Sequence, residues 1–497
     1  MLAAGAGVLT FLLYLPTVAA TVTLRNGGGD SGELVRAAWT LGVPHPTGYP
    51  LWVLLAHVAT LAPVGEPAHR VALLSTLAAA AAVSFAILAA NELVEHLPNP
   101  TATWSRWLGA GLAGLLLAFS PLFWQQATIP ETYAVDSCLV AAGLWLLLRW
   151  MRGRSPLWLC AVVLALALAN HLVSLALGVA FVAAAIVRRP RPSAGALIAA
   201  LTALVAITPP LYLLLIWRAQ AHPPANWGDP ENLQALWSLV TAREYHRFLT
   251  SRGPGAMALE LARLPGRLRG QFTLIGAVAA VWSLSLVLVR SRRVGIVLCT
   301  LLAVDLAIVA RDAAPAAPTY LQLSYVVLII ALGAGIALIP GRVGAERLSL
   351  RSASIVALTL LAAFLFVRTR SEVDIHADRS LESAARSELA AVPDQGLLLT
   401  TGDNPTFALW YVQDVLGYRP DVVIWAANLV ADPWYGDEMH RRFPAVIPAH
   451  LPLDDRLALD GVVAANASRR AIVSTFLPPT GATEGAWQQD GGVYRRS

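Results

Sequence analysis

Eleven apolar stretches, each near the length of helix that a bilayer requires, dominate this sequence. They run roughly over residues 4–24, 71–91, 107–124, 133–150, 156–170, 172–187, 194–217, 272–290, 294–310, 320–339 and 351–367. A hydrocarbon core about 30 Å thick takes some 17–25 apolar residues to cross as a helix. Helices also satisfy their own backbone polar groups, which lipid cannot do for them. The chain therefore reads as a polytopic α-helical membrane protein with about eleven transmembrane helices. At 57% hydrophobic and 13% charged residues, it is neither an ordinary soluble enzyme nor a disordered chain. The first stretch has no basic segment before it and no clear cleavage site, so it reads as a retained helix. The span 156–187 is open: one long helix, or two short helices meeting near Asn170-His171. The basic clusters at both of its ends favour two.

Charge divides the chain in two. Residues 372–497 carry 17 acids and 10 arginines, whereas the preceding 371 carry 14 acids and 26 arginines. Residues 1–370 thus form the membrane domain, and 371–497 form a soluble domain. All 36 basic residues are arginine, which excludes a Schiff-base lysine and a P-loop lysine. Short loops hold Arg149, Arg152 and Arg154; then Arg188, Arg189 and Arg191; then Arg290, Arg292 and Arg293; then Arg342, Arg347 and Arg351. With eleven spans all four clusters fall on one side, the cytoplasmic one. The N-terminus is then inside. The loops 25–70, 125–132, 218–271 and 311–319, and the C-terminal domain, are outside. Loop 218–271 carries seven arginines, but long loops follow the charge rule poorly. Cys138, Cys160 and Cys299 lie in apolar runs, without metal-ligand spacing or a disulfide framework. They read as buried small hydrophobes.

The unusual polar residues gather on the outer side. The first outer loop reads Asn26-Gly-Gly-Gly-Asp30-Ser-Gly-Glu33-Leu-Val-Arg36, then Leu41-Gly-Val-Pro-His45-Pro-Thr-Gly-Tyr49-Pro-Leu51. Asp30 starts a short helix and Glu33 follows one turn on, so both carboxylates share a face. Asp-x-x-Glu is also a capping-box pattern that merely satisfies amides at a helix start. Ionisable groups beside a membrane are expensive and favour function. The short loop after the third span carries Gln125-Gln126-Ala-Thr-Ile-Pro130-Glu131-Thr-Tyr133. Glu131 reads either as a ligand contact or as an acid favoured at a helix start. Asn170 and His171 lie at the outer tip of the fifth and sixth spans, where the histidine alternatively reads as a satisfied core residue. The bland readings do not explain why these groups share one face.

At these residues the chain resembles a known family. Asp30-Ser-Gly-Glu33 followed by His45-Pro-Thr-Gly-Tyr49-Pro is similar to the first-loop signature of the protein O-mannosyltransferase-like, transmembrane protein 260-like family. Ala68-His-Arg70-Val-Ala-Leu-Leu-Ser75 resembles that family's second-span start. Trp124-Gln-Gln-Ala with Glu131-Thr-Tyr133-Ala-Val, Leu168-Ala-Asn170-His171-Leu and Arg243-Glu-Tyr245 resemble later pieces in the same order. Gly402-Asp403-Asn404-Pro-Thr-Phe407, Trp410-Tyr411-Val-Gln and Gly417-Tyr-Arg419-Pro-Asp421-Val are similar to the tail of long bacterial members. Thr47, Leu34 and Pro130 depart from the pattern and leave the donor pocket's shape open.

The resemblance implies a GT-C glycosyltransferase. Such an enzyme takes a sugar, with mannose the family-weighted choice, from a polyprenyl-phosphate carrier. It passes the sugar, with inversion, to an acceptor hydroxyl on a protein, glycan or lipid at the outer face. Asp30 and Glu33 match the family's acidic motif. Asp30 is then the general base, a role that typically contributes 10²–10⁴-fold, and Glu33 orients the acceptor or shares that role. His45, His171 and Arg243 would hold the phosphate. Tyr49 and Glu131 would contact sugar hydroxyls, with Tyr133 and Asn170 beside them in the donor site. No metal, other cofactor or nucleic-acid partner is expected. Membrane lipids surround the protein, and a bacterial inner membrane fits the composition.

The C-terminal domain reads as α/β. Strands are expected at Gly396–Thr401, Asp421–Ala426 and Ala471–Phe476, with helices at Leu381–Val392, Pro405–Leu416 and Tyr435–Phe443. Gly402-Asp403-Asn404 follows a strand and opens a helix, where ligands bind or where Asp403 or Asn404 simply caps the helix before Pro405. Asn466-Ala-Ser468 is a sequon to which no weight attaches. The alternative function is a transporter or flippase of lipid-linked sugars, which would place polar groups near mid-bilayer in repeated halves. Asp305 is nearly the only acid deep in an expected span, and no repeat is visible.

Overall fold

The computed structural model describes residues 1–98, 102–246, 252–339, 350–430, 432–478 and 487–496. Arg342 and Arg347 of the fourth basic cluster lie outside the described residues. The chain divides into two compact units: residues 1–18, 72–212 and 242–376 form the first, and 19–71, 213–241 and 377–497 the second.

The first unit is helical. The chain has seven helices long and apolar enough to cross a bilayer among the described residues: Pro67–Val94, Tyr133–Met151, Ala194–Ala219, Pro254–Arg290, Arg292–Arg311, Ala317–Ala337 and Ser352–Val373. An eighth is the pair Thr103–Ala118 and Pro121–Ala127, bent by 67°. Proline at 121 lacks the amide that would continue the helix and disfavours helical backbone at Ser120. The other three expected spans are the shorter helices Leu2–Thr17, Leu157–Asn170 and Leu172–Val187. Among the described residues seven or eight helices thus have the length of a span, and the expected count of eleven is not reached by length alone. The run 4–24 stops early because a 3₁₀ turn containing Pro16 follows the helix Leu2–Tyr14. Part of the expected outer loop 218–271 is helical instead, at Leu233–Val240 and from Pro254 onward.

The stretch 156–187 resolves into two helices, Leu157–Asn170 and Leu175–Val187, with extended backbone at His171 (φ −157°, ψ 131°). The chain reverses there, because the Arg188 guanidinium returns to the Trp150 carbonyl at 3.2 Å. Leu157–Asn170 has 14 residues, or ~21 Å of rise. That is shorter than a hydrocarbon core about 30 Å thick. The expected basic cluster behind helix Tyr133–Met151 is partly compensated by two acids that the sequence reading passed over. Arg152 meets Glu95 at 3.0 Å and Glu92 at 3.4 Å, Arg154 meets Glu92 at 3.4 Å, and Arg106 also pairs with Glu95. These pairs gather three helix ends at one end of the unit.

The second unit is α/β. Strands β1 (Leu397–Thr400), β2 (Val423–Ala426), β3 (Ile472–Ser474), β4 (Trp487–Asp490) and β5 (Val493–Arg496) form one sheet in the order β2-β1-β3-β5-β4. β1 pairs in parallel with β2 and β3, while β5 pairs antiparallel with β3 and β4. Strands β1, β3 and the edge strand β2 are fully buried, which explains their mostly apolar sequence. The expected partly parallel sheet is present. The β4–β5 hairpin and the helix Asp455–Asn466 were not read from sequence. Asn466 of the sequon is buried, and its amide donates to the carbonyls of Val446 and Val462.

Candidate active site

The acidic loop belongs to the second unit. The glycine run 27–29 ends at Asp30, which stands at the N-cap of helix Ser31–Thr40 but makes no side-chain capping bond. Glu33 does not turn back to the helix start either. Its carboxylate accepts from the His45 amide at 3.0 Å and meets His45 Nδ1 at 2.8 Å. The capping-box reading therefore fails for both acids.

His45 is tied on its other side as well. Its Nε2 lies 3.2 Å from the Tyr49 hydroxyl, which itself donates to the Pro46 carbonyl at 2.8 Å. A phenol has one proton, and the shorter bond takes it. The ring is thus held at both nitrogens, and when it carries both protons it forms an ion pair with the buried Glu33 side chain. The turn 45–50 that closes this chain depends on Gly48, at φ 90°, a backbone region in which side chains are strained.

Helix Ser31–Thr40 lies directly on helix Asp403–Trp410. A Cβ at Gly32 would stand 2.4 Å from the Phe407 carbonyl oxygen, and one at Gly29 would stand 2.5 Å from the Asn404 side chain. Arg36 bonds Asp414 at 2.6 Å and lies 4.4 Å over the Trp410 ring. Asp403 comes within the field of Asp30 and His45. Burial first, and then the Asp30 charge, raise its carboxyl above the usual range. Asn428 steadies this end of β1 by donating to Asp403 at 3.0 Å and accepting from the Gly402 amide at 3.0 Å. Asp403 and Asn404 are therefore part of the acidic loop's surroundings. The only sequence signal for this was the Gly-Asp-Asn motif after a strand.

Next to Glu33 and Arg36 a cleft is lined by Trp227, Trp410, Trp434 and Arg442. Burial, and then the charge of Arg36, lower the Arg442 pKa. These residues were not singled out in the sequence. His222, Asp229 and Glu438 form a group of metal-type donors. Arg441 bonds all three, at 2.7, 3.1 and 2.9 Å, and a guanidinium among them opposes a metal ion.

The remaining expected site residues belong to the first unit. Glu131 is buried, and its carboxylate accepts from the Thr132 amide at 3.3 Å. Tyr133 and His171 have ring centroids 5.5 Å apart, and Tyr320 stands 6.0 and 5.5 Å from them. The Asn170 amide donates to the Thr132 carbonyl at 3.3 Å, and His171 Nδ1 accepts from the Val173 amide at 3.2 Å. Tyr133, Asn170 and His171 are thus brought together around the helix break, joined by Tyr320, which the sequence reading missed. Arg243 is exposed in the 3₁₀ turn Arg243–Tyr245.

Comparison with known proteins follows the same residues. The family model described as the protein O-mannosyl-transferase TMEM260 N-terminal domain matches residues 30–194, and TMEM260-associated domain 2 matches 381–456. The protein O-mannosyl-transferase TMEM260 of Mus musculus is 27% identical over 476 residues, which is 89% of this chain and 65% of the mouse protein. The chain thus spans just under two thirds of that relative's length. Among solved structures, ArnT from Cupriavidus metallidurans bound to undecaprenyl phosphate superposes with a TM-score of 0.58 at 12% identity, covering 100% of this chain and 97% of that one. The oligosaccharyltransferase AglB from Archaeoglobus fulgidus, in complex with an inhibitory peptide and a dolichol-phosphate, gives 0.50 at 12% identity over 95% of this chain and 69% of that one. The fold is that of the GT-C glycosyltransferases.

Proposed function

The chain is similar to the TMEM260 family over both matched segments, and on that likeness we propose that it is a membrane glycosyltransferase. It moves a sugar, mannose by family, from a polyprenyl-phosphate carrier to an acceptor hydroxyl on a protein, glycan or lipid, at the outer face of a bacterial inner membrane. The observation that carries this reading is the division of labour in the acidic loop. Glu33 is committed to His45, while Asp30 makes no helix-capping bond. Asp30 is then the general base that takes the acceptor proton as the sugar carbon leaves the carrier phosphate, in one inverting displacement. Glu33 acts through His45, whose positive charge attracts the departing phosphate. Tyr49 holds the far side of that ring. His171, Tyr133, Asn170, Glu131 and Arg243 serve the donor. The names of the neighbours support a lipid-linked donor, since ArnT and AglB are described with undecaprenyl phosphate and a dolichol-phosphate.

The test is transfer from radiolabelled polyprenyl-phosphate mannose in membranes carrying the full chain. Wild type should label an acceptor and Asp30→Asn should not. Label transfer at the wild-type rate by Asp30→Asn would end the base assignment. Transfer of label across vesicle membranes without acceptor labelling would support the flippase alternative instead.

A further inference from the structure

Four apolar helices of the first unit have their ends around one open cavity that the proposed reaction does not use. Helices Tyr133–Met151 and Leu175–Val187 finish there, and helices Leu157–Asn170 and Ala194–Ala219 begin there. The cavity holds about 330 Å³, and Trp150, Trp158, Arg188 and Arg191 are among its lining residues. Small-ligand pockets have about 300–1,000 Å³. His171 stands at the other end of helix Leu157–Asn170, whose 14 residues rise ~21 Å. The cavity is therefore separate from the donor groups around Tyr133 and His171.

Charge sets what the cavity can take. Among the described residues no acid lines it. Arg188 is held by neutral groups alone. Its Nε donates to the Trp150 carbonyl at 3.2 Å, its Nη1 donates to the Pro190 carbonyl at 2.7 Å, and its guanidinium lies 4.8 Å from the centre of the Trp150 ring. Its Nη2 has no partner among the described residues. Arg191 is exposed and forms no hydrogen bond, ring contact or ion pair among the described residues. The neighbouring cluster differs, because Arg152 and Arg154 are paired with Glu92 and Glu95. Two uncompensated guanidiniums at the end of apolar helices call for an anion, and phosphate oxygens match guanidinium donors.

The surroundings specify a lipid. Helix Ala194–Ala219 is only 6% buried along its apolar stretch, against 28–94% for the other six long spans. Leu197, Ile198 and Leu201 on that helix, with Ile186 and Trp158, are exposed. Such a face takes acyl chains, and tryptophan suits the boundary between chains and headgroups. A free phosphate would leave the apolar face uncovered. A second copy meeting it face to face would bring the same arginines, which repel one another.

We propose that this cavity binds the phosphate headgroup of one anionic phospholipid through Arg188 and Arg191, with the acyl chains along helix Ala194–Ala219. Basic pockets between membrane helices on the cytoplasmic side, the side expected for these arginines, suit such headgroups. The site does not rest on the glycosyl-transfer reading.

The experiment is native mass spectrometry of the delipidated full chain in detergent, titrated with phosphatidylglycerol or with phosphatidylcholine of the same acyl chains. Choline carries a positive charge of its own, which the arginines oppose. Wild type should hold one phosphatidylglycerol about tenfold more tightly than phosphatidylcholine. The preference should vanish in Arg188→Gln/Arg191→Gln. It should survive in Arg290→Gln/Arg292→Gln, which removes two arginines that do not line the cavity. Equal binding of the two lipids overturns the proposal, as does a preference that survives the first double variant or is lost equally in the second. Displacement of phosphatidylglycerol by glycerol phosphate at equal concentration would mean a free-anion site and overturns the lipid assignment. Wild-type dimers that the first double variant abolishes would mean an interface between copies and overturn it too. Should that variant fail to fold, Arg191→Gln alone decides, since Arg191 bonds no other described residue. A fall of about threefold in the preference is expected, and an unchanged preference overturns the assignment.

Discussion

The two units treat their buried acids in opposite ways. In the second unit Glu33 meets His45 on two bonds, Asp414 meets Arg36, and Glu438 meets Arg441. In the first unit, acids near the helix ends are also paired, as Glu92 and Glu95 are with arginines. Asp136, in the first turn of its helix, and Asp305, in the interior of its own, accept from hydroxyls and a backbone amide and form no ion pair among the described residues. The loop acids are therefore held by cations of the chain itself, whereas Asp136 and Asp305 are held by neutral donors.

Two substitutions test whether chemistry sits in the second unit. Asp30→Asn should lower transfer by about 10²–10⁴-fold while the protein still inserts and melts as wild type. If Asp305→Asn cost more transfer than Asp30→Asn, the catalytic acid would lie in the membrane unit instead. Glu33→Gln should have a smaller effect, about 10²-fold at most, because it loosens His45 rather than removing the base. Steady-state assays on Glu33→Gln should show the donor KM rising with the fall in kcat. A loss of kcat alone would mean that Glu33 touches the reacting hydroxyl.

Much of the second unit's site was legible because its chemistry is local in sequence. Asp30, Glu33, His45 and Tyr49 lie within twenty residues, and a helix turn and a glycine turn bring the last three together. Trp227, Trp434 and Asp403 reach the same place through long-range packing, for which single-residue patterns carry no signal. The helix break was anticipated at Asn170-His171, since the residues between two basic clusters fit two short helices better than one long one. Asp136 was not. It sits in an apolar run beside a motif already assigned, and only packing reveals Ser174 beside it. Helix ends erred where proline and the first outer loop interrupted an apolar stretch that composition alone reads as continuous.

Packing between the acidic loop and the C-terminal helix gives a third prediction, on stability. Gly32→Leu should destabilise the second unit by about 1–3 kcal/mol, since the side chain would press on the Phe407 backbone. Limited proteolysis should find the 377–497 segment cut faster while the helices of the first unit stay protected. Equal protection of both would mean that the close approach at Gly32 contributes nothing.

The smallest effect concerns a charge pair far from the acidic loop. Arg419 bonds Asp421 twice at 2.8 Å and also reaches the carbonyls of Leu389 and Val392, at 3.1 and 2.7 Å. It thereby ties the end of helix Ser380–Ala390 to the start of β2. The Arg419 guanidinium, and then the Gln395 amide, hold the Asp421 carboxyl well below the usual carboxylate range. A carboxyl whose pKa is lowered by folding stabilises above its unfolded value, near 4, and loses that contribution as the pH falls through its folded value. Wild type should therefore lose a small increment of melting temperature between about pH 4 and lower values, and Asp421→Asn should lose that increment at neutral pH already. The pair is solvent-exposed, so the difference should shrink in high salt. A difference that instead grew with salt, or appeared only at low pH, would remove Asp421 from the tie.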